Sequence, residues 1–78
     1  MESKVISIVA GVLNEDTSKL TPNSSSTDFE QWDSLKQMQI IMAVEDEFKI
    51  KVSDDSLLHA NSIKTLTEII IASTSENL

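Results

Sequence analysis

Seventy-eight residues fit one domain, and a chain of this size buries only about 60–65% of its unfolded surface, so its core is thin. Thirteen acidic residues against six lysines, with no arginine, leave a net charge of −7, which argues against nucleic acid and anionic membranes and favours partners with basic patches. Cysteine and tyrosine are absent and glycine and proline occur once each, which removes disulfide and thiolate chemistry and favours helices over a strand-and-turn fold.

Val5, Ile8, Val9, Val12 and Leu13 recur at helical spacing and predict a first helix from about Ser3 to Leu13, ended by Asn14-Glu15-Asp16. From Asn14 to Asp33 periodicity is lost, and Thr21-Pro22-Asn23-Ser24-Ser25-Ser26 is turn-forming. Only Leu20, Phe29 and Trp32 could pin this stretch to a core. A structureless connection this long is unusual in so small a domain and tends to be functional, although a plain crossover along a bundle would also use it. A second helix is predicted from Ser34 to Phe48, capped by Asp33 or Ser34, with Ser34-Leu35-Lys36-Gln37 reading as a capping box. Ser53-Asp54-Asp55 opens a short third helix with Leu57 and Leu58 inward. Asn61-Ser62 caps a fourth, which carries Ile63, Leu66, Thr67, Ile70 and Ile71 toward the core before Glu76-Asn77-Leu78 frays. The expectation is an all-α fold over residues 1–78: a small four-helix bundle with a long first loop and a short third helix.

The second helix carries two apolar stripes. At about 100° per residue, Ile40, Ile41, Val44 and Phe48 share one arc of roughly 100°, an ordinary core face. Leu35, Met38 and Met42 share another, centred roughly 135° away and flanked by Glu45 and Asp46. A helix in a small bundle buries one broad face. The second stripe is therefore either an exposed docking surface, for which methionine is well suited, or a patch covered by the long connection.

Ser34 is the residue with chemical promise. It lies in Asp33-Ser34-Leu35, at the mouth of the second helix, where free N–H groups and the helix dipole favour an anion such as a phosphate. No other serine has the same context, and the chain offers no metal cluster and no glycine-rich phosphate loop. His59 is the only histidine and reads as solvated surface, and Glu45, Asp46 and Glu47, being consecutive on a helix, diverge too far to share one ion. Catalysis by the chain's own side chains is not expected.

Asp33-Ser34-Leu35, the helix Ile40–Phe48 with its acidic cluster, Val52-Ser53-Asp54-Asp55, and Asn61-Ser62-Ile63-Lys64-Thr65-Leu66 together resemble the acyl carrier protein family in its free-standing form. The resemblance runs from about Asp28 to Ile70. It implies that a phosphopantetheinyl transferase places 4′-phosphopantetheine on Ser34, beside Asp33. Acyl groups then ride on the arm as thioesters to partner enzymes of fatty-acid, polyketide or related biosynthesis. It also implies that Leu35, Met38, Met42, Glu45 and Asp46 meet those partners through basic docking patches. Trp32 stands where the central fatty-acid carriers have a small residue, and Lys36, Gln37 and Gln39 stand where they often have acids. Trp32-Asp33-Ser34-Leu35 looks more like carriers dedicated to a polyketide, peptide or cell-envelope pathway. Ala60 is small where larger apolar residues are common. Two alternatives remain open: an aminoacyl or peptidyl carrier, and an unmodified helical module that binds a partner through the Leu35, Met38, Met42 stripe. No segment has the ~20 apolar residues of a membrane span and the first residues lack a signal-peptide pattern, so a cytoplasmic monomer is expected.

Overall fold

The computed structural model describes residues 2–57 and 59–75. Four helices follow in order: α1 (Glu2–Leu13), α2 (Ser34–Phe48), α3 (Asp54–Leu57) and α4 (Ile63–Ser75). They enclose a core built from Val5, Val9 and Leu13 of α1, Ile40, Ile41 and Val44 of α2, and Ile63, Leu66 and Ile70 of α4, closed by Leu20, Trp32, Val52 and Ala60 from the connections. On α1 the buried stripe takes in Ala10, while Ile8 and Val12 are only partly covered.

Both long helix ends close through a left-handed residue. Asn14 has φ 58°, and the bonds Glu15 N–H to Ala10 O (2.9 Å) and Asn14 N–H to Gly11 O (3.3 Å) form the Schellman pattern that stops α1. Lys49 does the same for α2 at φ 55°, a conformation that asparagine tolerates better than lysine. At the start of α4, Ser62 Oγ accepts from Thr65 N–H at 3.1 Å. Two expectations need correction. Ile71 is half exposed, because Ile63, Leu66, Thr67 and Ile70 already fill the stripe that faces the core. The capping box at Ser34 does not form: Asp33 alone caps α2, and Gln37 is turned into the interior. Leu57 is partly buried as expected, while Leu58 and 76–78 lie outside the described residues.

The long connection is not structureless. Two 3-10 turns, Thr17–Lys19 and Ser26–Asp28, interrupt it. Asp16 caps the first through Ser18 N–H at 3.1 Å, a bond that lowers the pKa of the Asp16 carboxyl. Gln31 Nε2 donates to Glu15 Oε2 at 2.8 Å, tying the two ends of the connection together and lowering the pKa of the Glu15 carboxyl. An isolated antiparallel bridge joins Ser25 to Ser62, through Ser26 N–H to Asn61 O (2.8 Å) and Ile63 N–H to Ser24 O (3.0 Å). Leu20 and Trp32 are buried and Phe29 partly so, as the sequence anticipates. The connection thus reaches the entrance of α2 already fastened to the start of α4.

Candidate functional site

Turns at Trp32 N–H to Phe29 O and Asp33 N–H to Gln31 O deliver the chain to α2. Asp33 keeps extended dihedrals while its Oδ1 accepts from Lys36 N–H at 2.9 Å and its carbonyl from Gln37 N–H at 2.8 Å. The cap leaves Ser34 as the first helical residue, exposed, with a hydroxyl that has no hydrogen-bond partner among the described residues. A nucleophile held this way is reachable by a partner, and an anion bound to it meets the positive end of a 15-residue helix.

Behind Ser34 lies a network that the sequence reading missed. Trp32 Nε1–H donates to Gln37 Oε1 at 2.7 Å, and Gln37 Nε2 donates to both Leu57 O (2.7 Å) and Ala60 O (2.8 Å). Trp32 and Gln37 are each 4% exposed. One amide therefore ties the residue before the cap, the first turn of α2 and the segment after α3 into a single unit, with both its donors used. Gln37 lies one turn before Ile40 and Ile41 and two before Val44, on the core arc. That spacing was the available signal. Of the three departures from the acids of the fatty-acid carriers, Gln37 faces inward, Lys36 is half-buried and Gln39 is exposed. Ala60, fully buried, contributes its carbonyl to this network.

A cleft of about 210 Å³ opens directly at the serine, lined by Ser26, Trp32, Asp33, Ser34, Gln37 and Asn61. Its far wall is the bridge between the long connection and the start of α4.

The second stripe of α2 is uncovered. Leu35 is 65% exposed, Met38 40% and Met42 63%, so the long connection does not fold over them. Asp46 is exposed beside them. Glu45 has a structural task as well: half-buried, it accepts from Val52 N–H through Oε2 at 2.8 Å and holds the turn after α2. Glu47 approaches Lys4 Nζ of α1 at 3.5 Å. The three consecutive acids point to three different places, and among the described residues no group of three or more His, Asp or Glu side chains gathers as a metal site. Glu45 lies about 16 Å from Ser34 along the helix, so serine, stripe and acids form one elongated face rather than one pocket.

Four helices around one core make this a small helical-bundle protein, with an exposed serine at the mouth of the second helix. The model of the family described as "phosphopantetheine attachment site" matches residues 3–70. The acyl carrier protein of Rickettsia canadensis is 39% identical over 70 residues, covering 90% of this chain and 78% of the relative. That of Buchnera aphidicola subsp. Schizaphis graminum is 33% identical, covering 90% and 89%. The solution structure of the holo acyl carrier protein from Geobacter metallireducens superposes with a TM-score of 0.84 at 25% identity, covering 97% of this chain and 87% of that one. The chain belongs to the acyl carrier protein family. It carries acyl groups on a 4′-phosphopantetheine prosthetic group.

Proposed function

We propose that Ser34 is the attachment point of the prosthetic group. One observation carries the assignment: the Ser34 hydroxyl is exposed, unpartnered among the described residues, and placed where the first turn of α2 presents its N–H groups. The residues present fit a phosphodiester there, since the helix dipole opposes its negative charge and the cleft leaves room beside it. Asp33 acts as the positioning residue. Its carboxylate is committed to Lys36 N–H, which fixes where the helix begins and hence where the Ser34 hydroxyl points. When attached, the group supplies the thiol that this cysteine-free chain lacks.

Leu35, Met38, Met42 and Asp46 form the docking face for a phosphopantetheinyl transferase and for acyl-transferring biosynthetic enzymes. Three exposed apolar side chains start next to the modified serine, and acids border them on a chain of net charge −7. Partners with basic patches are drawn to such a face by long-range steering. Glu45 contributes charge to its rim while also fastening Val52. The chain works as a single carrier domain, a cytoplasmic monomer that presents its cargo and leaves the chemistry to its partners.

Incubation with coenzyme A and a phosphopantetheinyl transferase tests the assignment. Intact mass rises by one phosphopantetheine per chain, and Ser34→Ala abolishes the gain. Modification that persists in Ser34→Ala, at Ser53 or Ser62 for instance, overturns it. A chain that is never modified would instead be an interaction module using the same stripe.

A further inference from the structure

We propose that Met38 and Met42 are a reversible oxidation site: a peroxide converts their thioethers to sulfoxides, which closes the α2 face to partners while the fold stays intact. The inference rests on that face as the docking surface and adds its regulation. With no cysteine in the chain, its sulfur is confined to three methionines, and two of them stand on this one stripe. They are four residues apart, one above the other and about 6 Å along the helix axis, and both are exposed. Oxidation of a thioether needs access, and here nothing has to open first. Leu35 shows that the same stripe admits leucine, which is as apolar and does not oxidise. Methionine at 38 and 42 therefore gives the face a chemical sensitivity that its packing does not require.

The step is balanced by the peroxide alone. A sulfur lone pair attacks one peroxide oxygen, an S–O bond forms and the O–O bond breaks. The departing hydroxide takes the proton left on the transferred oxygen and leaves as water, so sulfur loses the electron pair that the peroxide gains. The product puts a polar acceptor where an apolar side chain stood. In water that oxygen is solvated and α2 keeps its packing, because Ile40, Ile41 and Val44 hold the core arc. Against an apolar partner surface the oxygen must give up its solvation. The penalty therefore falls on docking and spares folding. Reductases specific for each sulfoxide epimer reverse it.

The test uses the full-length chain before loading, so that no arm thiol competes for the oxidant. Hydrogen peroxide is applied and then removed before coenzyme A and the transferase are added. Peptide mass mapping finds one added oxygen on Met38 and one on Met42, while helical circular dichroism and the thermal midpoint keep their untreated values. The kcat/KM for phosphopantetheine transfer falls about tenfold. The two sulfoxide reductases restore it. In Met38→Leu/Met42→Leu, compared with its own untreated sample, peroxide has no effect. Unoxidised Met42→Ala is run alongside to keep two failures apart. If Met42→Ala transfers slowly but the oxidised chain does not, the switch is overturned and the docking face stands. Wild-type rates in both overturn the face and the switch together. Methionines that stay reduced while free methionine in the same tube oxidises overturn the site. So does a fall in rate that accompanies unfolding, resists the reductases or persists in the leucine variant.

Discussion

The two faces of α2 follow opposite rules. On one, Gln37, Ile40, Ile41 and Val44 are buried, and the single polar member is saturated by three hydrogen bonds. On the other, Leu35, Met38 and Met42 are apolar and lie in water. Hydrophobicity alone would assign the glutamine to the surface and the methionines to the core. Burial is decided by which direction faces the shared core, and polarity is tolerated there when every group is satisfied. The apolar side chains left outside are the ones on the arc that turns away from the core.

The largest effect should come from the core face. Ile40 is fully buried, and Ile40→Ala should cost about 2–5 kcal/mol in chemical denaturation. A loss under about 1 kcal/mol would mean that α2 packs far more loosely than the full burial of Ile40 indicates. Gln37→Leu comes next. It removes the partners of Trp32 Nε1–H and of the Leu57 and Ala60 carbonyls, at a cost of about 1–3 kcal/mol. The indole N–H resonance of Trp32 should move with it. Unchanged stability together with an unmoved resonance would show that water takes over the role of the glutamine.

Glu45 tests where the two faces meet. Glu45→Lys loses the bond to Val52 N–H, about 1 kcal/mol, and reverses a rim charge. Glu45→Gln keeps an acceptor and drops only the charge. Slower, salt-sensitive association with a partner in both variants, with stability lost mainly in the lysine one, separates the two tasks. If both variants associate at the wild-type rate, the role of Glu45 is structural alone. The smallest stability change belongs to Met42→Ala, within about 0.5 kcal/mol for a side chain 63% exposed. Its effect should appear instead as a lower kcat/KM for phosphopantetheine transfer. A destabilisation as large as that of Val44→Ala, with transfer intact, would place Met42 in the core and dissolve the comparison.

The helices were legible because their signals are local. Helical spacing marked α1 and α4, Asp33 supplied the cap of α2, and the bounds Ser34–Phe48 agree with the observed helix. The two stripes of α2 could be separated by angle before any contact was known. The capping box misread Gln37, since Ser-x-x-Gln fits a helix start whether the glutamine turns back or inward. Its place on the core arc was visible, but its partners, 20 and 23 residues away on another segment, were not.

The sequence by itself determined four helices, a serine at the mouth of the second, and an acidic surface with one apolar stripe too many. Those features depend on neighbours three or four positions apart and on composition, which are written along the chain. Tertiary structure alone decided that the stripe stays uncovered, that Glu45 holds Val52, that Ile71 faces outward, and that Trp32, Gln37 and Asn61 surround a cleft beside Ser34. Each is set by which distant segments come to lie together. In a core this thin, a single amide or one backbone bridge fixes that arrangement, and neither leaves a periodic trace in the sequence.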